Sequence, residues 1–147
     1  MFIPQRSTRP LSFVAAILFG ICPLAFAADY HIATQEDFDR YREATLAPGD
    51  RVLFERGGEF IGMFAPKAVG AEGNVITISA YGEGPRPVIH NQGVIHPHPT
   101  REGEVVSAGI LLFNAEYVEL SGLEVTNTNG GDQDEDNLVG IYVLAED

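Results

Sequence analysis

The sequence predicts an all-β protein, a right-handed parallel β-helix of about three or four rungs with an N-terminal capping α-helix and an open C-terminal end. Three observations point there. The apolar runs after Asp50 are short, as in Val52-Leu53-Phe54, Val75-Ile76-Thr77-Ile78-Ser79 and Tyr117-Val118-Glu119-Leu120. Many are joined by corners of very few residues, such as Asn114-Ala115-Glu116 and Ser121-Gly122. One phrase, Gly109-Ile110-x-Leu112, returns as Gly140-Ile141-x-Val143.

The chain opens on a different grammar. Arg6 and Arg9 precede an almost wholly apolar stretch, Leu11 to Leu24, and Ala25-Phe26-Ala27 then places small residues where a signal peptidase reads them. The apolar run holds about 14 residues, against roughly 20 for a membrane-spanning helix. Ile21 stands before Cys22, where a lipoprotein signal needs a small residue. Residues 1–27 therefore read as a signal peptide, and the protein as secreted to the periplasm, cell surface or medium. Cleavage would remove the single cysteine and two arginines, taking the net charge from −12 to −14. Such a surface repels phosphate backbones and acidic lipid, which speaks against nucleic-acid or membrane-surface roles after cleavage.

Residues 28–50 form the N-terminal segment with the capping helix. Thr34 is the N-cap, Gln35, Glu36 and Asp37 fill the first turn, and Phe38, Tyr41, Thr45 and Leu46 recur at helical spacing until Pro48-Gly49-Asp50. Residues 51–147 carry the rungs. No long helical period interrupts the strands, which speaks against a doubly wound α/β fold and leaves the choice between a sandwich or barrel and a solenoid. Leu120-Ser121-Gly122-Leu123 lacks the asparagine-glycine signal of a hairpin, which favours the solenoid. Asn114, Asn127 and Asn129 lie near corners, where a side-chain amide can bond the turn backbone.

Pro48-Gly49-Asp50-Arg51-Val52-Leu53-Phe54-Glu55-Arg56-Gly57-Gly58-Glu59-Phe60 resembles the opening rung of bacterial β-helix proteins of the pectate-lyase-like superfamily. Glu72 to Gly82 and Tyr117 to Thr128 resemble later rungs, so the likeness runs from Thr34 to Leu144. It implies a carbohydrate-active protein that meets a polysaccharide or glycan. Polysaccharide lyases acting on uronic-acid polymers are the leading expectation, with a glycoside hydrolase, or a non-catalytic glycan-binding or adhesion protein, as alternatives. Substrate grooves in this superfamily run along middle coils, which implies that the chain is an inactive N-terminal fragment, apparently truncated, of a longer protein.

Candidate sites are few. Asp132, Asp134 and Asp136 offer oxygen ligands at alternate positions, as calcium requires. An EF-hand would need glycine at Asn137 and glutamate at Val143, so a solvated acidic loop is the competing reading. His90, His96 and His98 could approach a metal with Glu102, but alternation along a proline-stiffened strand explains their spacing as well. Lys67, the one lysine, could serve as a lyase base, but it sits in a turn beside Pro66. Arg86 and Arg101 stand no higher, and no catalytic residue is assigned. An uncapped last coil also predicts self-association.

Overall fold

Alternation decides which side chains fill the interior. Val52 and Phe54 in one strand, Ile76 and Ile78 in another and Ile89 in a third are all buried, while their neighbours along the chain face out. A computed structural model of the chain describes residues 27–129 and 138–146. The expected signal segment lies outside these residues but for Ala27. The elements run β1 (Asp29–Ile32), α1 (Gln35–Tyr41), β2 (Thr45–Leu46), β3 (Arg51–Glu55), β4 (Glu59–Ile61), β5 (Lys67–Ala68) and β6 (Ile76–Tyr81). They continue with β7 (Val88–His90), β8 (His96–Pro97), β9 (Val105–Phe113), β10 (Val118–Leu120), β11 (Glu124–Thr126) and β12 (Leu138–Leu144).

The strands stack in parallel on the sides of a coil, which is the expected parallel β-helix. One side is the sheet β1-β3-β6-β10, and a second is β4-β7-β11. The third pairs β9 with β12, and Phe64 bridges onto Ile110 beneath them. A narrow corner joins β2 to β5 and continues where Val69 meets Glu116. The repeated phrase stacks on itself, with Ile141 on Ile110 and Val143 on Leu112. Gly109 is needed there because a Cβ would lie 2.5 Å from Val125 Cγ1 and 3.0 Å from the Gly140 oxygen. At Ser121-Gly122 the chain turns from the first side to the second rather than doubling back, with Gly122 at φ +69°.

The helix closes one end. Thr34 Oγ1 accepts from the Asp37 amide at 3.1 Å, and the Asp37 carboxylate accepts from the Thr34 amide at 3.1 Å, a reciprocal capping box. Phe38 is fully buried and stacks on Phe60 at 5.9 Å, with Phe54 and Phe64 beside it at 6.4 and 6.1 Å. Each side of the first complete coil thus sends one phenylalanine inward, and the helix lays a fourth over them. The chain corner at Gly62, φ +125°, passes so close that a Cβ would sit 3.2 Å from the Phe38 ring.

The helix is shorter than the spacing predicted. It stops at Tyr41, and Thr45 and Leu46, expected on its apolar face, form β2 against Lys67 and Ala68. Pairing with the coil corner outcompetes another helical turn because it buries Leu46 and satisfies the strand's backbone. The Gln35 side chain covers the edge that a strand would otherwise occupy. Its amide nitrogen donates to the Ile61 oxygen at 2.9 Å, and its oxygen accepts from the Ile61 amide at 2.8 Å.

The opposite end is open among the described residues. β10, β11 and β12 are the outermost strands of their sheets, and Ile141 and Val143 are 46% and 65% exposed. Ile110 and Leu112 beneath them are buried.

Phe38→Ala is expected to lower the unfolding free energy by about 3 to 5 kcal/mol in urea titrations, the cost of emptying a buried aromatic site. Gln35→Ala, which frees one edge amide and one edge carbonyl, should cost about 1 to 2 kcal/mol.

Candidate functional site

The third side carries an irregular excursion between β7 and β9 that lies over its outer face. Gln92 and Gly93 turn the chain with positive φ, and β8 returns antiparallel to Val105 and Val106. Beneath it Val106, Ala108 and Leu111 form a small apolar cluster with Met63, Ala65 and Tyr142. Polar groups fix this strap. Buried Asn91 donates from Nδ2 to the Val94 oxygen at 2.7 Å and to Ser107 Oγ at 3.3 Å. Ser107 Oγ in turn donates to the Val94 oxygen at 2.8 Å and accepts from Asn127 Nδ2 at 3.2 Å. Asn127 also accepts from the Gly93 amide at 2.9 Å and donates to the Val139 oxygen at 3.2 Å. Asn127 thus bonds the turn, as expected, and Asn91 is its partner one coil below. Asn114 accepts from the Glu146 amide at 2.8 Å.

Between the strap and the corner strands runs a groove of about 390 Å³. Pro97 and Pro99 line it from the strap, Met63 and Lys67 from the corner, and Leu111 and Phe113 from β9. Glu43 completes the rim. Lys67 is therefore a groove residue rather than an isolated turn cation, though its exposed side chain makes no ion pair among the described residues. Apolar walls with one cation and one carboxylate suit a sugar ring, whose apolar face packs and whose hydroxyls bond to charged groups. The lining holds one carboxylate, Glu43, where glycoside hydrolysis normally takes two.

The histidines do not converge. His90 Nδ1 pairs with Thr126 Oγ1 at 3.0 Å on the second side, and His96 Nε2 pairs with Asn91 Oδ1 at 3.2 Å. His98 Nδ1 accepts from the Thr100 and Arg101 amides at 3.3 and 3.1 Å. No set of three His, Cys, Asp or Glu side chains able to hold a metal occurs among the described residues. Asp132, Asp134 and Asp136, the calcium candidates, lie outside them. Arg101 pairs with Glu104 at 3.3 Å and Glu146 at 3.0 Å, stapling the strap to the last coil.

Comparison with known proteins gives the architecture a chemical setting. The chain is 35% identical over 98 aligned residues to a lacto-N-biosidase of Bifidobacterium longum subsp. longum, an alignment covering 56% of this chain and 6% of that protein. Two crystal structures of the GH136 lacto-N-biosidase from Eubacterium ramulus, one of a selenomethionine derivative and one native, superpose with a TM-score of 0.58. Their identities are 23% and 20%, over 79% of this chain and 24% and 27% of theirs. No protein-family model matches. The chain thus spans a small part of the curated relative and about a quarter of the solved ones. These likenesses support a carbohydrate-active relation. The relatives are glycoside hydrolases, and they lend support neither to the pectate-lyase-like superfamily nor to the lyase expectation.

Burial holds the His96 imidazole below its ordinary value of 6.5; Arg42 adds to this by repulsion and Glu43 opposes it. The unfolded chain then takes up the proton more readily, so the contribution of His96 to stability is present above pH 6.5 and lost as pH falls toward the depressed folded value. Melting temperatures between pH 8 and 5 should fall on acidification, and His96→Gln should flatten that slope.

Proposed function

We propose that this chain supplies coils of a secreted, β-helical glycoside hydrolase of the lacto-N-biosidase type, and that its groove contacts glycan without cleaving it. The similarity to the Bifidobacterium lacto-N-biosidase carries this reading. The parallel coils support it, because a groove along stacked strands presents an extended surface to an oligosaccharide. Bond cleavage is assigned to the complete enzyme, since the chain matches only a fraction of its relatives and the groove lining offers a single carboxylate. That same carboxylate count favours a second reading, in which the chain is itself a glycan-binding module.

The test compares the chain with the complete translation product of its gene. Both are incubated with an oligosaccharide ending in a lacto-N-biose unit and, separately, with alginate and pectate. The expected result is release of the disaccharide by the complete product and retention of the glycan without cleavage by the chain. Phe113→Ala and Lys67→Ala should each weaken retention by about tenfold, the equivalent of some 1.4 kcal/mol. Ultraviolet absorbance from an unsaturated uronate would overturn the hydrolase reading in favour of a lyase. Neither hydrolysis nor retention across these substrates would overturn both readings.

A further inference from the structure

Asp50 is 2% exposed, yet its carboxylate makes no ion pair with any Lys, Arg or His among the described residues. Burying such a charge is costly unless an opposite charge and hydrogen bonds compensate it. The hydrogen bonds are present. Oδ2 accepts from the Ala47 amide at 2.8 Å and from the Tyr30 hydroxyl at 3.5 Å. Oδ1 accepts from the nitrogen of Ala28 at 2.8 Å. Ala28 is the residue at which the sequence places the start of the mature chain.

We propose that removal of the leader between Ala27 and Ala28 creates an α-ammonium group that forms an ion pair with the buried carboxylate of Asp50 and fastens β1 to the first coil. The step is amide hydrolysis. Water adds hydroxide to the Ala27 carbonyl carbon and a proton to the Ala28 nitrogen, which takes up a second proton from solvent. In the uncleaved chain the same nitrogen is an amide and brings one N–H but no charge. Cleavage keeps that hydrogen bond and adds the missing cation.

The location makes the pair structural. Asp50 ends the Pro48-Gly49-Asp50 corner, and the Arg51 amide donates to the Ala28 oxygen at 2.8 Å where β3 begins to pair with β1. A bond from Ala28 to Asp50 therefore clamps the first residues of β1 at the start of their register. Few other charges face it. Asp29 and Arg51 pair with each other on the outer face of β1 and β3. Tyr30 meets Asp50 and lies edge-on to Tyr41 of α1 at 5.3 Å, and Arg40 sits over the outer side of the Tyr41 ring. β6 contributes only the Thr77 amide, which donates to the Asp50 main-chain oxygen. Burial, followed by the Asp50 charge, raises the Tyr30 hydroxyl above its ordinary value of 10.0, so Tyr30 stays neutral while the amine titrates.

An α-amine held this way has a raised folded pKa. Its contribution is complete below the unfolded value of about 7.7 to 8.0 and is lost as pH rises through the folded one. After cleavage Lys67 is the only other amine, which makes the measurement clean. The full chain is expressed with its leader, the product is weighed by intact-mass spectrometry, and its amines are followed by NMR after reductive ¹³C-methylation. The expected result is a chain beginning at Ala28, whose α-amine titrates at least about one pH unit above the exposed range. Asp50→Asn should return it to that range. One glycine inserted before Ala28 leaves Asp50 intact and moves the charge away, so this variant should melt lower at pH 7, with the difference vanishing above pH ~10. A mature terminus other than Ala28 would overturn the processing step. An Ala28 amine titrating in the ordinary range, or a glycine variant as stable as the parent, would overturn the ion pair and leave processing standing.

Discussion

Everything in this fold rests on filling the bore of the first coil. A parallel coil with three sides encloses a space that no single side chain can occupy, and an unfilled bore would forfeit most of the contacts that justify ordering the chain. Phe54, Phe60 and Phe64 meet there from three sides, with Phe54 at 5.3 Å from each of the other two. Phe38 seals them from above. The tight corner at Gly62 follows from seating that fourth ring, which a Cβ there would approach to 3.2 Å. Beside the phenylalanines the bore is filled by Ile, Val and Leu, stacked as Val52, Ile78 and Leu120 along one side.

The two ends of the stack differ in kind. At one, an aromatic lid, a glutamine that answers the edge of β4 and the Asp50 corner close the coil. At the other, apolar side chains that point along the bore meet solvent, and every charged residue beyond Arg101 is acidic. Parallel coils of this type serve more than one reaction, which is why the coil phrases led to the architecture without choosing between lyase and hydrolase chemistry. The reaction belongs to side chains arrayed on the outer faces, and fold alone does not choose them.

Most of the fold was legible because alternation and glycine corners are local signals. Val52-Leu53-Phe54 and Leu123-Glu124-Val125 announce buried and exposed faces without reference to anything distant. β1 was not legible, since Asp29-Tyr30-His31-Ile32 alternates only weakly and becomes a strand by pairing with Arg51 to Phe54. β2, β5 and β8 are two residues each, too short to carry a period. The end of α1 was misjudged because helical spacing continues through Thr45 and Leu46 while the coil corner claims them. The groove was invisible for another reason. Glu43, Lys67, Pro97 and Phe113 lie far apart in the chain, and only stacking brings them to one rim. Asn91 and Asp50 read as loop residues, since their burial depends on partners one coil away.

The side-chain amide of Gln35 has a consequence for how such chains change over time. Because it answers the edge of β4 from within the first segment, that edge needs no downstream strand to close it. Coils can be duplicated, lost or decorated beyond that point without disturbing the lid. Parallel-coil proteins of very different lengths can therefore inherit the same opening segment unchanged, and the lineage of that segment can differ from the lineage of the reaction performed further along.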